Sequence, residues 1–158
     1  MISDFGFAIS DLFYLLNCMD KTELKRRSQK FAVDIIKFTA NLPSSRSLNV
    51  LCNQVLRSAT SIGANYRAAC KGKSTADFIN KIVICEEEAD ECIYWLDLLI
   101  EAELVSQAKV APLRKEADEL TAIFTAIGKT AKENQKLNNF EIEHPKSEII
   151  EHSKFEIN

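Results

Sequence analysis

Apolar residues recur along most of the chain at spacings of three and four, the period of a helix with one buried face. The first stripe is Phe31, Ile35, Phe38 and Leu42, preceded by Asp20 and Glu23, which stand three apart as N-cap and N3 of a capping box. It predicts a helix over residues 21–42, closed by Pro43 and the serines after it. The second stripe, Leu48, Cys52, Val55, Ala59, Ile62 and Tyr66, predicts a helix over 47–71 with Gly72 placed to end it. The third is the most regular: Phe78, Ile82, Cys85, Ala89, Cys92, Leu96 and Leu99 form a heptad seam, with Ser74 and Asp77 as a capping pair at its start. Trp95, Leu98 and Ile100 widen that apolar face near its end, which predicts contacts on more than one side. The fourth stripe, Leu113, Ala117, Leu120, Phe124, Ile127 and Ala131, predicts a helix beginning between Ser106 and Leu113, with Pro112 accommodated in or near the first turn.

Long helices joined by short connections become antiparallel neighbours. The pattern therefore predicts an all-α, up-down-up-down antiparallel four-helix bundle over residues 19–138. Residues 1–18 are rich in aromatics and carry Asp4 and Asp11 but no Lys or Arg, unlike a signal peptide. They read as an apolar N-terminal extension, either an upstream start or a loosely docked arm. Residues 139–158 lose the stripe and read as an acidic mobile tail. Composition points the same way: 4 Gly and 3 Pro in 158 residues are too few for the turns of a β-rich fold. No run of about 18 uncharged apolar residues occurs, so no membrane-spanning helix is expected.

The side chains offer little catalytic chemistry. The five cysteines, Cys18, Cys52, Cys70, Cys85 and Cys92, show no Cys-x-x-Cys spacing and read as small buried hydrophobes in a reducing cytoplasm. Glu141 and His144 match the Glu-x-x-His of di-iron bundles, but Pro145 follows, the segment is polar and no second copy exists. The carboxylates Glu86, Glu87, Glu88, Asp90 and Glu91 lack an inward histidine and read as a solvated or subunit-contact face. No nucleophile–base pair and no metal set is present, so neither enzymatic activity nor a cofactor is expected.

The formal net charge of −3 conceals a separation. In an up-down-up-down bundle one end collects the start of helix 1, the helix 2–3 corner and the end of helix 4. Those segments hold twelve bases, among them Lys25, Arg26, Arg27, Lys30, Arg67, Lys71, Lys73 and Lys81, against four acids, a local balance near +8. Between Ile82 and Ala108 there are eight acids and no Lys or Arg. Helix dipoles disfavour cations at the starts of helices 1 and 3, so helix stability alone does not account for the cluster. A basic end of this kind suits phosphate groups.

Residues 57–99 carry a family resemblance. Ser61-Ile62-Gly63-Ala64-Asn65-Tyr66-Arg67, the segment from Ser74 to Lys81, Glu88-Ala89-Asp90-Glu91 and Tyr94-Trp95-Leu96 resemble the four-helix-bundle proteins encoded in intervening sequences of bacterial large-subunit rRNA genes. Weaker similarity extends over about residues 22–136. The resemblance implies a cytoplasmic bacterial protein, a homopentameric assembly and no established enzymatic activity. A related branch, the accessory variability proteins of diversity-generating retroelements, resembles it in fold and binds nucleic acid and a reverse transcriptase. In this light Gly63 and Ala64 would let another helix approach closely. Asn65, Tyr66, Trp95, Asp97 and Leu98 are candidates for an interface between subunits. The combined expectation is a non-catalytic homo-oligomer that binds structured RNA or DNA through its basic end. The alternative is a scaffold that docks a protein partner on the acidic face of helix 3.

Overall fold

The computed structural model describes residues 21–143. Four helices make up nearly all of them: α1 (Lys21–Ala40), α2 (Arg46–Ala69), α3 (Thr75–Glu101) and α4 (Gln107–Glu143). Each packs on its sequence neighbour, and α1 closes the ring against α4. This is the up-down-up-down four-helix bundle that the stripes predict. The α2–α3 and α3–α4 seams are extensive, whereas the α1–α4 seam is the thinnest of the four.

The core is built from those stripes. Leu48, Cys52, Val55, Ala59, Ile62 and Tyr66 of α2 are all buried, as are Ile82, Cys85, Ala89, Cys92, Leu96 and Leu99 of α3. Phe78 is only half-buried, and Ile79 takes the buried place beside it. On α1, Leu24 and Ser28 extend the buried face toward the start of the helix. Ser28 is fully enclosed because its hydroxyl donates to the Lys25 carbonyl (3.1 Å) and needs nothing else. Gly63 faces it, but a Cβ there would sit 3.7 Å from Ser28 Oγ, an ordinary contact, so the approach of α1 to α2 does not require a glycine at this position. Ala64, its neighbour in sequence, is exposed.

Helix ends follow their caps. Ser45 accepts from the Leu48 amide and Ser74 from the Asp77 amide, satisfying N-terminal donors that have no partner within the helix. Asp20 lies outside the described residues, and the Glu23 carboxylate turns to Arg26 rather than back toward a cap. The first helix stops at Ala40, two residues earlier than its stripe predicts, where Asn41 and Leu42 tighten into turns on the Phe38 and Thr39 carbonyls. Gly72 ends the α2 region without a left-handed backbone. Its value is space: a Cβ would fall 3.0 Å from the Ala69 carbonyl oxygen, which accepts the Gly72 amide, and 3.1 Å from Asp77 Oδ2. Pro112 sits in the second turn of α4 rather than the first.

The α3–α4 corner places Glu103 at φ 56°. There the Leu104 and Val105 amides both reach back to the Leu99 carbonyl (3.1 Å each). A side chain in that left-handed conformation costs roughly 1 kcal/mol relative to glycine. Glu103→Gly is therefore expected to raise stability by about 0.5–1 kcal/mol in urea denaturation, and a destabilised variant would contradict the turn geometry.

The fourth helix outruns the rest. It is 37 residues long against 27 for α3, and it continues through Glu143, five residues into the segment that reads as tail. The remainder of that tail, with His144 and His152, and the N-terminal extension with Cys18 lie outside the described residues. Ile127 lines an end cavity of about 500 Å³ with Leu24, Tyr66 and Phe78. From Lys129 to Phe140 no side chain of α4 is buried.

Candidate functional site

The basic end divides into cations held by the protein and cations left to solvent. Arg27 is the most committed. Its Nε and Nη2 meet the two oxygens of Glu116 at 2.6 and 2.9 Å, and Nη2 also donates to Glu119. Only 20% of the Arg27 side chain is exposed. The bonded Glu116 carboxylate raises its already high pKa, so it stays charged. Arg26 forms a two-point pair with Glu23 at 2.6 and 2.9 Å, and that bond holds the Glu23 carboxyl below its usual range. Lys30 pairs with Asp34 one turn on, and Arg67 donates to Gln29 Oε1 (2.7 Å) across the α1–α2 seam. Lys81 reaches Asn65 Oδ1 at 3.5 Å. Lys25, Lys71 and Lys73 make no ion pair among the described residues. Lys71 and Lys73 are exposed at the α2–α3 turn. A charge sum by segment does not see Asp34, Glu116 and Glu119, so the +8 overstates the field that this end presents.

A groove of about 910 Å³ runs along the thin α1–α4 seam. Phe31, Phe38 and Leu113 line it together with the three internal pairs of Arg26, Arg27 and Lys30. Lys37 and Lys109 also line it, away from the basic end, and make no ion pair among the described residues.

The residues named for an interface have partners within one chain. Tyr66 is 5% exposed, and its ring packs on Phe124 at 5.6 Å between centroids, so within the bundle it is a core residue. Asn65 donates to the Ser61 carbonyl and hydroxyl (3.0 Å each). Asp97 is clasped by Arg114 at 2.6 and 3.1 Å, and the same guanidinium holds Asp118 at 2.7 Å. Leu98 is half-buried. Trp95 is half-buried with Tyr94 edge-on at 4.8 Å, and Tyr94 is 56% exposed.

One constellation is absent from the sequence expectations as a unit: a polar ladder along the α2–α3 seam. Arg57 donates to Glu91 at 2.5 Å and to Glu88 at 3.4 Å. Ser58 and Ser61 donate to those same carboxylates at 2.9 Å each. Asn65 and Lys81 continue the chain of contacts. The ladder is visible in the sequence as second stripes beside the core: Ser58, Ser61, Asn65 on one helix and Glu88, Glu91, Trp95 on the other, each spaced three then four. Glu88 Oε2 and Trp95 Nε1 remain buried without a hydrogen-bond partner among the described residues.

Among the described residues no three His, Cys, Asp or Glu side chains gather as a metal site, and no helix is long and apolar enough to cross a membrane. Cys52, Cys70, Cys85 and Cys92 are free thiols. Burial pushes the Cys85 pKa up to about 12 and that of Cys92 higher still. Neither is a nucleophile near neutral pH.

The fold and its surfaces thus define an all-α four-helix bundle whose polar clusters tie helices to one another. Residues 20–126 match the model of the 23S rRNA-intervening sequence protein family, and the chain belongs to that family. It is similar to the crystal structure of a protein of unknown function from the S23 ribosomal protein family of Bacteroides thetaiotaomicron VPI-5482, with 38% identity and a TM-score of 0.65. That match covers 70% of this chain and 99% of the other. No curated protein matches the chain.

Proposed function

We propose that this protein is a non-catalytic, homo-oligomeric bundle that grips phosphates of structured RNA or DNA through Lys25, Lys71 and Lys73, with Arg67 beside them. The observation that carries the reading is the contrast at the basic end. Arg26, Arg27 and Lys30 are neutralised by neighbouring carboxylates, while the three lysines make no ion pair among the described residues. Cations of this kind release counterions when they meet a phosphate backbone, without reading bases. Repetition of the site in several copies, five by the family resemblance, multiplies weak contacts into avidity. Association through α3 is supported by exposed Tyr94.

Fluorescence anisotropy with a structured fragment of 23S rRNA tests the reading, and light scattering reports the mass of protein and complex together. Combined Lys25→Ala, Lys71→Ala and Lys73→Ala substitutions are expected to weaken binding at least tenfold at low salt. They should also flatten the dependence of log affinity on log salt by about two to three. Undetectable binding at low salt, or a triple variant that binds as tightly as the parent, overturns the proposal. A second reading, a protein partner on α3, draws support from exposed Tyr94 flanked by exposed Glu87 and Asp90. It requires a nuclease-resistant complex that is lost on charge reversal of Glu87 and Asp90. Glu91 is unsuitable for that test because Arg57 and Ser58 hold it.

A further inference from the structure

The end cavity of about 500 Å³ lies at the basic end, between the start of α1, the end of α2, the α2–α3 turn and Ile127 of α4. Its floor is apolar and enclosed: Leu24, Tyr66 and Ala69 are 3%, 5% and 3% exposed. Half-buried Phe78 and Ile127 form its walls, and exposed Gly72, Ser74 and Thr75 form its rim. We propose that this cavity receives one unpaired base of a bound nucleic acid, stacked against Phe78, while Lys71 and Lys73 hold the phosphates at its mouth. This assignment rests on the phosphate reading above and narrows the ligand to a strand with an extruded base.

The placement of the cations favours that occupant. Lys71 lies between Cys70 and Gly72, and Lys73 between Gly72 and Ser74, so both lysines of the turn flank residues that line the cavity. Lys25 follows Leu24, and Lys21 lines the cavity itself. None of the four makes an ion pair among the described residues. Asp77 is the only acid in residues 69–79. An apolar body that suits this cavity is therefore one attached to negative charge.

The aromatic wall favours it independently. Phe78 opens the seam of α3, but Ile79 takes the buried place and leaves the Phe78 ring partly accessible at the cavity. Unpaired bases are held by stacking on rings presented in this way. A grip on duplex phosphates makes no use of such a ring, because paired bases stay stacked on one another. The rim also offers hydroxyls to a base edge. Ser74 Oγ accepts from the Asp77 amide at 3.1 Å, which leaves its proton to donate, and the Thr75 side chain is exposed beside it.

Fluorescence anisotropy of the full chain with three RNA hairpins of one sequence tests the pocket. One hairpin is fully paired, one carries a single bulged adenine, and one has an abasic site in place of that adenosine. The bulged hairpin is expected to bind at least fivefold tighter than the paired one, the low end for one base stacked on an aromatic side chain. The abasic hairpin should fall back to the paired value, since it keeps the extra backbone unit and loses only the base. Phe78→Ala should remove the gain while leaving affinity for the paired hairpin unchanged, which also reports that the variant is folded. Phe78→Tyr should keep the gain. Equal binding of paired and bulged hairpins overturns the base pocket and leaves the phosphate reading standing. An abasic bulge that retains the whole gain does the same without any protein variant, as does a folded Phe78→Ala variant that retains it. Undetectable binding of all three hairpins at low salt overturns the phosphate reading and the pocket together.

Discussion

Phe124→Ala is expected to destabilise the bundle by about 3–5 kcal/mol, the loss for truncating a large side chain in a core that cannot collapse around the void. Phe124 is fully buried, lies in the seam of α4, and takes the ring of Tyr66 against its own at 5.6 Å. The truncation therefore opens a cavity between α2 and α4 rather than at an edge. A domain of this size has a total stability on the order of 5–15 kcal/mol, so the variant gives up a large share of it. Urea denaturation should show a lower midpoint at an unchanged slope. Phe124→Leu keeps most of the volume and should lose less than about 1.5 kcal/mol. Losses at Tyr66 and Phe124 should fail to add, since each ring is the other's wall. An alanine variant within about 1 kcal/mol of the parent would place Phe124 outside the core.

The helices were readable because core positions in a bundle repeat at three and four, and this chain keeps that spacing nearly unbroken through α3 and α4. The same period reads Tyr66 correctly as core, whereas the interface role that the resemblance implies for it finds its side chain already enclosed. Gly63 is a similar case: the side chain it faces is Ser28 of the same chain, and a Cβ would fit there at ordinary contact distance. Charge was the harder matter. Arg27 and its partners Glu116 and Glu119 are 89 and 92 residues apart in sequence, so no local count pairs them. The ladder of Arg57, Glu88 and Glu91 was missed for a different reason. Its residues flank the core stripe at the right spacing, but a run of carboxylates reads as a solvated face until a cation on the adjoining helix is set beside it. The last turn of α4, past Asn138, was concealed because no side chain from Lys129 to Phe140 is buried, so the apolar stripe fades before the backbone hydrogen bonds do.

Arg27→Met should separate the two readings of the basic end. Methionine keeps the stem that packs along the α1–α4 seam and removes only the guanidinium. What remains is Glu116 and Glu119, one turn apart and facing α1, each only about a third exposed. Lys115 sits 4.0 Å from Glu119, but its side chain is 79% exposed and compensates weakly. Discounted for that exposure, the loss is expected to be about 2 kcal/mol, below the 3–5 kcal/mol of a fully buried pair. Because α1 is tied to α4 by the thinnest seam of the bundle, exchange should quicken in α1 before it does in α3. Adding Glu116→Gln and Glu119→Gln should recover more than half of the loss, since the damage is two uncompensated charges rather than a missing contact. RNA affinity and its salt slope should stay at the parent values under conditions where the variant is folded, because the guanidinium that was removed was already occupied. A variant of unchanged stability with a flattened salt slope would instead show Arg27 free to meet phosphate, and would return it to the binding surface beside Lys25.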